Sequence, residues 1–69
     1  MPIYFAELGQ EVSIREIRGT DKVRRHLQNL GFITGEKVIV INKVDENLIV
    51  KLRGISMAIG HDLAKRIIV

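Results

Sequence analysis

"LGFITGEKVIV", residues 30–40, decides how the rest of the chain is read. Two glycines, a lysine and an apolar run give it the look of a phosphate-binding loop opening onto a strand. Such a loop needs GxxxxGK(S/T), because its backbone N–H groups wrap a phosphate while the lysine and hydroxyl reach the phosphates and the magnesium. Here only three residues separate Gly31 from Gly35, Glu36 precedes Lys37, and Val38 stands where the hydroxyl belongs. The order is inverted as well, since phosphate loops run from a strand into a helix whose positive N-terminus faces the anion. Residues 30–40 read instead as a helix stop, a turn and a strand start.

Upstream lies the helix that stops there. "TDKVRRHLQNLG" places Val23, Leu27 and Leu30 at i, i+4 and i+7, a stripe expected to pack on a sheet. Thr20 or Asp21 can cap its first turn by accepting a backbone N–H, and Asp21 also suits the positive end of the dipole. Gly31 suits the left-handed position after the last turn, and Phe32 follows where a Schellman motif makes its apolar contact. Gly35 then fits the positive φ of a type II turn. Before the helix, a lead segment ends at Gly9, and "EVSIREIRG" carries Val12, Ile14 and Ile17, β-branched residues that favour a strand. Its alternation slips between Ile14 and Ile17, which predicts a bulge or an early strand end near Glu16.

Downstream the pattern is β. "KVIVINKV" (37–44) and "NLIVKLRG" (47–54) flank Asp45 and Glu46 and read as an antiparallel hairpin, with Leu48, Val50 and Leu52 on one face and Lys51 and Arg53 on the other. Gly54 turns the chain into "ISMAIG", where Ile55, Met57 and Ile59 are expected to point inward. "HDLAKR" reads as a turn, and the terminal "IIV" as a last short strand. About five short strands with one helix between the first and second are better served by a small curled barrel than by an open sheet, because closure protects edges.

Composition limits the chemistry. Sixty-nine residues make one domain that buries only about 60% of its unfolded surface, leaving little room for an internal active-site cavity. Without cysteine there is no disulfide, thiolate nucleophile or zinc–thiolate site. No signal peptide is visible and no apolar run approaches the roughly 18 residues of a spanning helix, so a cytosolic protein that does not insert into membrane is expected. A formal charge of +3 and a pI near 9.7 permit an acidic or nucleic-acid partner without demanding one. Ser13 and Ser56 sit in predicted strands with no histidine beside them, so no nucleophile–base–orienter set can be named and no enzyme is expected.

With its "VRRHL" (23–27), "NLGFITGEKV" (29–38) and "LIVKLRGISMAIGHDLAKRIIV" (48–69) blocks, the chain resembles the FeoA family, small SH3-like domains that accompany the bacterial ferrous iron transporter FeoB. Arg25, Leu27, Leu30, Gly31, Gly35 and Val38 carry the most specific part of the likeness, supported by Gly54, Ala64, Ile67 and Val69. Thr34 stands where the family often has proline, and Gly60 where it often has arginine. The resemblance implies a single SH3-like domain over residues 1–69, acting as a cytoplasmic accessory of iron uptake. It also implies docking on the cytoplasmic part of a transporter that contains a GTP-binding domain, without catalysis and without a resident cofactor, a transition metal ion such as iron being the one left open. A closely similar domain ends metal-dependent repressors of the diphtheria toxin repressor type. A free-standing accessory is the better match here, because the DNA-binding and metal-binding domains of those repressors are missing from this chain.

Two groups of side chains remain to be weighed. His26, beside Leu27, and His61, beside Asp62, would have to converge without thiolates to hold a metal, so a solvated or structural role outweighs a ligand role. The basic group is stronger: with Val23, Leu27 and Leu30 inward, Lys22, Arg24, Arg25 and Gln28 point outward on the helix, and Arg15 and Arg18 lie just before it. Asp21 is placed to pair with Arg25, and Glu16 interrupts the upstream pair. Tyr4, Phe5 and Phe32 are too few to make a stacking platform, so a protein partner is expected before a nucleic acid, and self-association is left open.

Overall fold

The computed structural model describes residues 1–69. Helix α1 spans Asp21–Asn29, and the Thr20 hydroxyl caps it by accepting the Val23 N–H at 3.3 Å. At its far end Gly31 takes a φ of +104°. The Gly31 N–H reaches the Gln28 carbonyl at 2.9 Å and the Phe32 N–H the Leu27 carbonyl at 3.0 Å, the two bonds of a Schellman motif. Phe32 is thereby turned back under the last turn, where it is fully buried with Leu27 in the core. It fills the place the apolar stripe assigns to Leu30. Leu30 therefore does not pack on the sheet as expected but stands 40% exposed at the helix end.

A turn follows at once. The Glu36 N–H donates to the Ile33 carbonyl at 2.9 Å across Gly35, whose φ is +94°. This turn is tied to the first strand, because Gly35 N–H reaches the Ile14 carbonyl at 2.8 Å and Ile14 N–H the Glu36 carbonyl at 2.9 Å. β3 (Lys37–Val44) starts there and returns through Asp45 and Glu46 as β4 (Asn47–Leu52). The register between them shifts at Val40/Asn42, where a bulge leaves Ile41 exposed. β4 turns through Arg53 (φ 53°) and Gly54 (φ 80°) into β5 (Ile55–Ile59). Two successive positive φ values are what a type I′ hairpin requires, with arginine accepting the first of them.

There are six strands, not five, in two antiparallel sheets. β1 (Glu11–Ser13), β3, β4 and β5 form one in the order β1-β3-β4-β5, and β2 (Glu16–Ile17) pairs with β6 (Ile67–Ile68) in the other. The slip between Ile14 and Ile17 is the corner where one strand leaves the first sheet for the second. Ile14 still bonds the turn before β3, while the Arg15 N–H already bonds the Ile68 carbonyl at 2.7 Å. The break thus lies at Ile14–Arg15, just before Glu16, and both flanking isoleucines are buried. The expected turn at "HDLAKR" is a short helix, α2 (His61–Ala64), which buries Ala64 in the core.

Between the sheets lies one apolar cluster built on Ile3, Ile14, Leu27, Phe32, Val38, Val40, Leu48, Val50 and Ile67. Burying roughly 1.5–3 kcal/mol of transfer free energy per such side chain is what holds so small a barrel together. No polar or charged residue is buried, so the core carries no desolvation penalty to offset. Ile55 departs from expectation. Its cross-strand partner Leu52 is only 3% exposed, yet Ile55 is 63% exposed, because β5 is an edge strand with nothing beyond it to cover its first residue.

Candidate docking site

Helix α1 offers the site. Lys22, Arg24, Arg25 and Gln28 are all exposed on its outer side, and α1 carries no Phe, Tyr or Trp. Two open hollows run along it, one bordered by Asp21, Arg24, Arg25 and Gln28, the other by Lys22, Arg25, His26 and Asn29. Neither has a hydrophobic wall, and Arg25 belongs to both. Such surfaces suit a charged partner more than a small apolar ligand, whose pocket would be concave and mostly apolar.

The pairing of charges differs from the sequence expectation. Asp21 meets Arg24 three residues on, not Arg25. Both spacings lie on one helix face, and the shorter one takes the carboxylate. Glu16 holds Arg18 at 3.1 Å. On α1, Lys22 and Arg25 are left with no acidic side chain in ion-pair range, and are the helix's cations free to meet a partner.

The structure adds residues that the sequence reading passed over. A third hollow is bordered by Arg18, Asp62, Lys65 and Arg66. Arg18 and Arg66 lie side by side, because the Arg18 N–H donates to the Arg66 carbonyl at 2.8 Å. The Arg66 side chain crosses Gly19 at the foot of α1, where a Cβ on that glycine would stand 3.2 Å from it and 3.3 Å from Val23. Lys65 and Arg66 thus extend the basic surface of the helix around its N-terminal end. The available signal was the adjacent basic pair after "HDLA", which a one-turn helix presents next to β2.

The histidines and aromatics lie apart from that surface or within it as single groups. His26 is exposed on α1, and His61 at the start of α2 has Nδ1 3.4 Å from Asp62 Oδ1. No three His, Cys, Asp or Glu side chains come together. Tyr4 packs edge-on against Phe5 and His61, with the Lys43 ammonium 4.1 Å from its ring centroid. No helix is long and apolar enough to cross a membrane.

One ion pair braces the far side. Arg53, at the β4–β5 turn, donates to Glu36, in the turn after α1, and this hydrogen bond together with the guanidinium charge holds the Glu36 carboxyl below the usual carboxylate range. Arg53 is correspondingly raised. A carboxyl depressed in the folded state adds stability at pH above its unfolded value and loses it as pH falls through the folded one. The Arg53 side chain is 64% exposed, so the contribution is small. In an NMR titration the Glu36 carboxyl is expected to protonate at lower pH in the wild type than in Arg53→Gln. Equal midpoints would mean that the pair does not persist in solution.

Comparison with known proteins agrees over the whole length. The "Putative Fe(2+) transport protein A" of Methanocaldococcus jannaschii is 32% identical over 68 residues, 99% of this chain and 83% of that protein. Among solved structures, the zinc complex of Stenotrophomonas maltophilia FeoA, described as a procaryotic SH3 domain protein, superposes with a TM-score of 0.84 at 26% identity and covers 99% of this chain and 87% of that one. T. acidophilum IdeR has a TM-score of 0.84 at 25% identity, but this chain matches only 32% of its length. The two-sheet barrel is SH3-like, and because the family model for the FeoA domain matches residues 1–69, the chain belongs to the FeoA family.

Proposed function

We propose that this domain is a cytoplasmic accessory protein of ferrous iron uptake that docks through the outer face of α1 on the cytoplasmic part of a FeoB-type transporter carrying a GTP-binding domain. Family membership supports the iron-uptake role, as does the iron-transport name of the M. jannaschii relative. The docking face rests on one observation: Lys22 and Arg25 stand exposed and without acidic partners on a helix whose opposite side is anchored in the core by Leu27. A rigid, wet and positive face of this kind steers association with an acidic surface and sets its register. No catalytic part is assigned to it. The chain would act by being bound.

Reversing both unpaired cations of α1 tests this. Lys22→Glu with Arg25→Glu is expected to weaken binding to the solubilised transporter by about 1–2 kcal/mol, roughly five- to thirtyfold in Kd, with the thermal midpoint kept. Arg24 is left alone because its reversal would also set a second acid beside Asp21. The wild-type advantage should fade towards 1 M salt, where the Debye length shrinks to about 3 Å. Equal binding of the two proteins at low salt would move the docking surface off α1. A labelled single-stranded oligonucleotide retarded by the wild type but not by the double variant would assign the same face to nucleic acid instead.

A further inference from the structure

The outer edge of β5 has no neighbour. β5 bonds only β4, and no backbone hydrogen bond outside that ladder involves any residue from Ile55 to Ile59. A two-residue connection makes Leu52 and Ile55 the hydrogen-bonded closing pair, so the bonded pairs alternate: 52/55, 50/57 and 48/59. Ser56 and Ala58 belong to the other set, and their N–H and C=O groups point away from β4 along the open edge. Both residues are exposed.

Edge strands are ordinarily blunted by lysine, proline, an inward charge or a bulge. "ISMAI" has none of these, and the bulge of the sheet lies on β3. The opposite edge differs, since β1 is only three residues long and begins with Glu11.

We infer that β5 is a self-association edge, on which a second copy of this chain adds its own β5 antiparallel about a two-fold axis through Met57. That register pairs Ser56 with Ala58 of the other copy, and Ala58 with its Ser56. All four outward N–H and C=O groups of each edge are then satisfied, and the two four-stranded sheets become one of eight. Side chains fit the same register. Ile55, left 63% exposed in the single copy, comes opposite Ile59, and the half-buried Met57 meets itself. No like charges oppose each other, because the strand has none. The strand ends carry opposite signs, Arg53 before the first residue and Asp62, with its side chain 99% exposed, after the last. Antiparallel pairing brings each of these to the same end as its opposite. The inference is independent of the docking role of α1, which lies on a different element.

Sedimentation equilibrium and amide exchange on the whole chain test it. The wild type is expected to show a monomer–dimer equilibrium, strengthened by salt because each copy carries +3, with the Ser56 and Ala58 amides protected only at high concentration. Ser56→Pro removes an outward N–H without touching the ladder to β4, and Ile55→Lys puts a charge opposite Ile59 of the other copy. Each should raise the dimer dissociation constant at least tenfold. Should Ser56→Pro fail to fold, Ile55→Lys, at a site already exposed, carries the test. A wild type that stays monomeric up to millimolar concentration would overturn the inference. So would a dimer that both variants leave intact, or concentration-dependent protection at β1 instead of β5.

Discussion

Phe32→Ala should cost about 3–5 kcal/mol, the largest loss any single truncation in this domain is expected to produce. A chain of 69 residues has roughly 3–10 kcal/mol of stability in all, so the variant is expected to be partly or wholly unfolded at room temperature. Two losses combine in one side chain. Phe32 is fully buried among both sheets and α1, so truncation leaves a cavity that a rigid barrel closes poorly. It is also the apolar contact of the Schellman motif against Leu27, so the helix loses what fixes its end. Urea denaturation followed by circular dichroism measures the loss, and Phe32→Leu, which keeps most of the volume, should give up less than half as much. A loss under about 1 kcal/mol for Phe32→Ala would show that the ring is not enclosed as described.

Gly31→Ala is the second. The sequence alone suggests that Gly31→Ala and Gly35→Ala should behave alike, each costing about 1 kcal/mol for a side chain at positive φ. The structure separates them. A Cβ at Gly35 meets nothing within 4 Å, whereas one at Gly31 would stand 2.9 Å from Leu52 Cδ2, on a side chain that is only 3% exposed and has little room to yield. Gly35→Ala should therefore cost about 1 kcal/mol and Gly31→Ala about 2–3 kcal/mol, since overpacking adds to the backbone strain. In a domain of this size each kcal/mol lowers Tm by about 4–8 °C, which calorimetry resolves easily. Leu52→Ala supplies the decisive comparison, for in that background the cost of Gly31→Ala should drop towards that of Gly35→Ala. An unchanged cost would place the strain in the backbone alone.

The local elements were legible because their signals are short-range. Thr20, Gly31, Phe32 and Gly35 settle their neighbourhoods by capping, handedness and turn chemistry, all within a few residues. The alternation of Leu48, Val50 and Leu52 likewise needs only a period of two. What escaped depends on where elements meet. Leu30 satisfies the helical period, but whether it is covered depends on Phe32, which folds back and takes its place. Ile55 satisfies the strand period, but coverage fails where the sheet ends. The corner at Ile14–Arg15 showed only as a slip in alternation, because one sequence cannot tell a strand that bulges from one that changes sheets. On the proposed docking face the residue types were visible and the pairing was not. Asp21 can reach either of two arginines, and its choice of Arg24 is what leaves Arg25 free.

The smaller sheet has a further consequence, for the order in which the barrel assembles. Pro2 bridges Ile68, the Met1 ammonium reaches the Val69 carbonyl at 2.8 Å, and the Val69 N–H returns to the Met1 carbonyl at 2.8 Å, so the chain is closed into a ring across a separation of 68 residues. β2 and β6 pair residues fifty or more positions apart, whereas β3, β4 and β5 join neighbours through two-residue turns. The entropy of closing a loop rises with its length and falls due before the contact repays it. The meander can zip from its turns outward. The ring can be clasped only when most of the chain is already in place, and it should be the first part to come undone. The same two-residue clasp holds both chain ends at one point of the barrel, so a neighbouring segment tethered at either end would pull on β6 and leave the meander untouched.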